Sequence, residues 1–176
     1  AQHVVMCIGT VCTYFKTGND RNVQRAIAKF GALGDGYLHS RDPYSYLLAR
    51  LVAVTCEVFV ESSVWNAVQP LSEAADDDTG AALQQFSRSA FANRRALVWP
   101  AQAAGIERLA DPDSFVLCTP TGSGKTTVAT LAIVQGLFTR GERPLGLENL
   151  EPDNLILYIV PSRALAAEVE KRLAED

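Results

Sequence analysis

Residues 114–127, SFVLCTPTGSGKTT, combine the side chains and spacing most capable of chemistry in this chain. Residues 115–118 are a short apolar run that is expected to be a buried strand. Residues 119–124 form a glycine-bearing loop, and Lys125 and Thr126 are expected to open a helix. The order builds a phosphate cradle. Gly122 and Gly124 let the backbone turn with little steric penalty, so successive N–H groups can converge on phosphate oxygens. The helix that follows aims its positive end at the same point. Lys125 supplies a mobile cation for the outer phosphates, and the Thr126 hydroxyl is placed to ligate Mg2+. Thr119, Pro120, Thr121, Gly122, Ser123, Gly124 and Thr127 complete the candidate nucleotide-binding set.

Two further stretches flank this loop. Upstream stands Trp99-Pro100-Ala101-Gln102, whose Gln102 amide can donate and accept hydrogen bonds together. Downstream, the continuous apolar run 155–160 is expected to be a second buried strand. It leads through Pro161, Ser162 and Arg163 into a last helix. Free N–H groups, a hydroxyl and a guanidinium at such a turn are suitable donors for phosphate oxygens. Strand, helix, strand and helix in succession predict an α/β unit with a parallel βαβα sheet and a right-handed crossover.

The wording T-P-T-G-S-G-K-T has Thr119 where the plain phosphate-loop pattern has its first glycine, and it resembles motif I of superfamily 2 helicases. Trp99-Pro100-Ala101-Gln102 resembles their Q-type motif, which implies that Gln102 recognises adenine, and Pro161 to Ala166 with Glu168 resembles motif Ia, which implies that Pro161, Ser162 and Arg163 meet a nucleic-acid backbone. The resemblance covers roughly residues 97–176 and is nearest to the DEAD/DEAH-like and Ski-type branches. It implies part of a RecA-like ATP-binding domain, an ATP-dependent helicase or translocase activity, ATP and Mg2+ as ligands, and DNA or RNA as partner. It also implies that the Asp-Glu motif, later strands and a second RecA-like domain lie beyond Asp176. The segment alone is therefore expected not to be a competent ATPase. Two other classes stay open: another phosphate-loop enzyme such as a nucleotide-dependent kinase, and a non-hydrolysing helical interaction module with a remnant ATP-binding half-domain.

The elements that must carry these motifs begin with an all-helical region, 1–96, expected to be an accessory domain that binds a partner protein or guides a strand. Residues 1–17 read as a mostly buried helix. Asn19 and Asp20 cap a second helix, 21–33, which the glycines at 31, 34 and 36 should stop. Asp42-Pro43 opens a third, running to about Val60 and apolar nearly all round, as a central helix would be. Residues 62–68 suggest a short helix anchored by Trp65, and Asp76, Asp77 and Asp78 read as a solvated loop capping a helix over 81–95. A helix over 102–109 precedes the loop, one over 125–138 follows it, and the Gly/Pro-rich 140–154 connects to the last, 164–174. His3 and His39 are isolated and read as ordinary structural residues.

Composition bounds the rest. The 176 residues are 48% hydrophobic, enough for one good core or two small ones. The net charge of -4 provides no overall positive field, so any nucleic-acid contact must be local. Cys7, Cys12, Cys56 and Cys118 form no metal-type cluster and lie in apolar runs, which suits buried, reduced thiols in the cytoplasm. The chain starts at Ala1 and is expected to be an excised or processed segment. No signal peptide or clean membrane-spanning run is expected.

Overall fold

A computed structural model describes residues 2–111, 113–120, 122–138, 156–160 and 163–175. Eight helices are found there: α1 (Gln2–Thr17), α2 (Asp20–His39), α3 (Pro43–Glu61), α4 (Val64–Ala74), α5 (Asp77–Ala92), α6 (Pro100–Arg108), α7 (Lys125–Phe138) and α8 (Arg163–Glu175). Local capping explains several starts. The Asn19 side chain accepts from the Arg21 N–H, Asp42 Oδ1 from Ser45 at 3.1 Å, and Asp76 Oδ1 from Thr79 at 2.8 Å. Helix α5 thus begins at Asp77, four residues before the expected start, because Asp77 and Asp78 occupy its first turn.

The predicted parallel sheet is not found. Among the described residues there is no strand, and the one isolated bridge pairs Ser63 with Leu97 in antiparallel fashion. A strand requires a neighbour to share its hydrogen bonds, and apolar composition alone does not supply one. In 115–118, Phe115 and Leu117 lean on the core while Val116 is 86% exposed. In 156–160, Leu157 and Ile159 are about as exposed as Val116. Leu155, the connection 140–154, and Thr121, Pro161 and Ser162 of the candidate site lie outside the described residues.

Two other expectations are corrected by packing. Helix α2 runs through its glycines to His39, because Gly34 serves close approach to α3: a Cβ there would sit 3.6 Å from that of Ala49. The chain turns instead at Arg41, whose φ is 58°, just before the Asp42-Pro43 cap. Helix α3 is not a central helix. It buries Ala49, Ala53, Cys56 and Val60, and exposes Leu47, Leu51 and Val58. The buried stripe is the small-residue one, which lets α2 approach closely. By length and composition alone, α3 also qualifies as a helix able to cross a membrane.

Two apolar clusters result. The first joins α1, α2 and α3 around Cys7, Val11, Val23, Ile27 and Phe30. The second joins α4 and α5 to α6 and α7 through Val64, Leu83, Phe86, Ile106, Val128 and Leu131. The helix after the phosphate loop therefore rests on helices from before residue 96.

The cysteines divide into two pairs of unlike exposure. All four are free; Cys7 and Cys56 are buried with their Sγ atoms 3.8 Å apart, whereas Cys12 and Cys118 are exposed, contrary to the uniform burial expected. Burial and then the neighbouring Cys7 push the Cys56 thiol up to about 12. Since the thiolate is the nucleophile, iodoacetamide at pH 8 should modify Cys12 and Cys118 in the native protein and reach Cys56 only after denaturation. Peptide mass mapping over a time course checks this, and rapid native labelling of Cys56 would contradict the packing.

Candidate phosphate-binding site

The site is assembled from the segment before α6, the N-terminal turn of α6, and the loop that leads into α7. Residues 62–64 and 96–98 lie side by side: Val64 N–H donates to Ala96 O at 2.9 Å and Val98 N–H to Ser62 O at 2.8 Å. Ser63 is fully buried between them. It shares a 2.8 Å hydrogen bond with Tyr14 Oη, its Oγ donates to Val60 O, and it caps α4 by accepting from Asn66 N–H. This network holds the approach to Trp99 against α1 and α4.

Trp99 is the N-cap of α6 and Pro100 its first residue. Gln102 follows at the third helical position, and its Oε1 accepts from Trp99 N–H at 2.7 Å, half of a capping box. Its Nε2 donates to Gly124 O at 3.1 Å and to Thr127 Oγ1 at 3.3 Å. The buried amide thus commits both N–H groups and one Oε1 lone pair to the protein, and joins α6 to the loop. Gly105 brings α6, α7 and 115–118 together, since a Cβ there would lie 3.0 Å from Val128 and 3.3 Å from Leu117.

The loop itself has the backbone that its glycines anticipate. Gly122 and Gly124 have φ of 82° and 77°, values that L side chains rarely adopt. Space around a Cβ at Gly122 is open, whereas one at Gly124 would collide with the Gln102 amide. Thr119 Oγ1 and Ser123 Oγ share a hydrogen bond of 2.5 Å across the loop. Lys125, at the start of α7, folds back so that Nζ donates to Thr119 O at 2.5 Å and Pro120 O at 2.9 Å. A cation therefore stands beside the glycine turn and the free N–H groups of a helix start. That arrangement can take polyanionic oxygens in place of the two carbonyls.

Of the expected site residues, Gln102, Thr119, Pro120, Gly122, Ser123, Gly124, Lys125, Thr126 and Thr127 are contiguous here. Thr126 is half-buried in the first turn of α7. Arg163 is exposed and opens α8. Among the described residues no group of three or more His, Cys, Asp or Glu side chains gathers as a metal site would require. Sequence reasoning missed the bonds of Gln102 to Gly124 and Thr127, because these partners lie 22 and 25 residues away.

Residues 99–175 match the family model for DEAD/DEAH box helicases. Over 104 residues, 58% of this chain, it is 32% identical to the ATP-dependent helicase Lhr-Core of Methanocaldococcus jannaschii and covers 12% of that protein. It is 29% identical to the Hachiman protein HamB of Bacillus cereus over 138 residues, which is 77% of this chain and 11% of that protein. That match extends into the helices before residue 99. A 63-residue stretch, 36% of the chain, is 41% identical to the DExH-box ATP-dependent RNA helicase DExH13 of Arabidopsis thaliana and covers 3% of it. The chain thus spans about an eighth or less of the length of these relatives. No solved structure matches it. Residues 99–175 thus form a segment similar to the DEAD/DEAH box helicase family.

Proposed function

We propose that this chain is the nucleotide-anchoring portion of an ATP-dependent nucleic-acid helicase or translocase of superfamily 2. The observation that carries the reading is the linked set of Gln102, Gly124 and Lys125, in which a buried amide braces the loop that presents the cation. On this reading Lys125 leaves the Thr119 and Pro120 carbonyls for the β- and γ-phosphate oxygens of ATP, while the 122–124 backbone donates to the same groups. The open space at Gly122 and the left-handed turns fit a polyphosphate. The Thr126 hydroxyl would hold Mg2+, which supplies charge neutralisation across the phosphates. Gln102 reads adenine. Accepting from the adenine amino group uses the remaining lone pair of Oε1, whereas donating to a ring nitrogen requires one of the Nε2 bonds to be exchanged.

Arg163, with Pro161 and Ser162 before it, contacts the phosphate backbone of a DNA or RNA strand, positioning it without reading sequence. The helices of 1–96 serve a partner protein or guide that strand. The protein works in the cytoplasm away from membranes, where its four free cysteines remain thiols.

The test is ATP hydrolysis by the complete protein with and without single-stranded DNA or RNA. Stimulation by one polymer is expected and names the track. Hydrolysis indifferent to nucleic acid would instead indicate another phosphate-loop enzyme, and none at all a non-hydrolysing nucleotide-binding module.

A further inference from the structure

The face of α3 turned away from its buried stripe carries a second pattern. Tyr44, Leu47, Leu51, Val54 and Val58 recur at alternating steps of three and four residues, and all five are exposed, by 44% to 86%. The buried Ala49, Ala53, Cys56 and Val60 repeat on the opposite side and tie the helix to its own fold. Alternating steps of three and four make the narrow seam by which one helix packs along another, with the a and d side chains interleaving. Among the described residues nothing covers this seam.

The borders of the seam select what fits it. With Tyr44, Leu51 and Val58 at a, and Leu47 and Val54 at d, Arg50 and Glu57 fall at the g positions and Leu48 and Thr55 at the e positions. The g border thus carries two exposed charges of opposite sign, one heptad apart. Two copies of α3 packed antiparallel bring g against g, so Arg50 of each copy meets Glu57 of the other, twice by symmetry. In the same register Leu51 packs on Val54 and Leu47 on Val58. Glu61, at the next d position, falls beside Tyr44, whose hydroxyl can donate to the carboxylate. A parallel pair would set Arg50 against Thr55 and Glu61 against Glu61, pairing no charges and opposing two carboxylates. A bilayer fits less well, although α3 is long and apolar enough to cross one. Its other face is already held within the fold, and Arg50, Glu57 and Glu61 border the seam. The Arg50 side chain runs along α2 beside Gly31 and Gly34, which keeps it at the edge of the seam rather than across it.

We propose that the chain forms a two-fold symmetric dimer through α3, with the two helices antiparallel along the Leu47-to-Val58 seam and Arg50 of each copy paired with Glu57 of the other. The interface uses no residue of the phosphate loop, so its test is independent of the nucleotide reading.

Sedimentation velocity of the full chain, over a series from low to high micromolar concentration, measures the association. The wild type should dimerise. Leu51→Asp should weaken dimerisation by at least about 100-fold, because the leucine is lost from both copies, and should leave the thermal melt unchanged, because Leu51 is exposed within one copy. Arg50→Glu and Glu57→Arg should each weaken it by about fivefold or more at low salt, since each sets like charges together. An equimolar mixture of these two single variants should associate like the wild type, as should the double variant Arg50→Glu/Glu57→Arg. A parallel pair would gain nothing from mixing. A chain that stays monomeric throughout the series would overturn the inference, as would a dimer indifferent to Leu51→Asp. Failure of the mixture and of the double variant to recover would overturn the antiparallel pairing. A monomer that floats with vesicles of phosphatidylcholine and phosphatidylglycerol, and loses them with Leu51→Asp, would assign the seam to lipid and overturn the dimer.

Discussion

Lys125→Ala should abolish nucleotide turnover in the complete protein, lowering kcat by at least about 100-fold. The ammonium is the described cation that the loop holds at the glycine turn, donating to Thr119 O and Pro120 O. These carbonyls are neutral dipoles, and exchanging them for phosphate oxygens turns ordinary hydrogen bonds into charge-assisted ones, which are roughly twice as strong. Alanine removes that donor from both the ground state and the transition state, so affinity and turnover should fall together. The fold should hardly notice. Lys125 is exposed, its partners are loop carbonyls that water can satisfy, and surface changes of this kind alter stability by about 0.5 kcal/mol or less. The measurement is steady-state ATP hydrolysis beside a denaturant melt of both proteins. Retained turnover with an unchanged melt would remove the phosphate-loop assignment.

Local signals were legible in the sequence wherever the determining atoms lie within one turn of each other. Asn19, Asp42 with Pro43, and Asp76 accept from N–H groups two or three residues on, and each helix start they mark is present. The glycines of the loop were legible for the same reason, because a left-handed φ belongs to the residue itself. Packing was less so. The apolar bulk of α3 pointed to burial on all sides, yet Ala49 and Ala53 face α2 and Leu47 and Leu51 face outwards. A small residue that permits close approach contributes more to that contact than a large one that reaches too far. The parallel sheet failed at another step. Residues 115–118 and 156–160 have suitable composition, but a ladder depends on a partner elsewhere in the chain, and none is formed among the described residues. The boundary expected near residue 96 is likewise crossed by a shared core, since Leu83 and Phe86 of α5 pack with Val128 and Leu131 of α7.

The brace between Gln102 and the loop leads to a contrast between two glycines. Gly122→Ala and Gly124→Ala both force an L side chain into left-handed backbone, which costs about 1–2 kcal/mol. Nothing else stands near a Cβ at Gly122. At Gly124 the added carbon would lie 1.9 Å from Gln102 Nε2 and 2.8 Å from Cδ, so the amide must move. Moving it breaks its bonds to Gly124 O and Thr127 Oγ1, and because Gln102 is buried the stranded groups cost roughly a further 1–3 kcal/mol. Gly124→Ala should therefore destabilise the chain by about 2–5 kcal/mol in urea unfolding, clearly more than Gly122→Ala, and should lose nucleotide binding with it. The excess must depend on Gln102. In the double variant Gly124→Ala/Gln102→Ala the collision is gone, so the two substitutions should be non-additive, with a coupling of about 1 kcal/mol or more in favour of the pair. Additive effects, or equal losses at the two glycines, would mean that Gln102 does not brace the loop. Non-additivity would establish that the residue at the start of α6 and the turn before α7 act as one element.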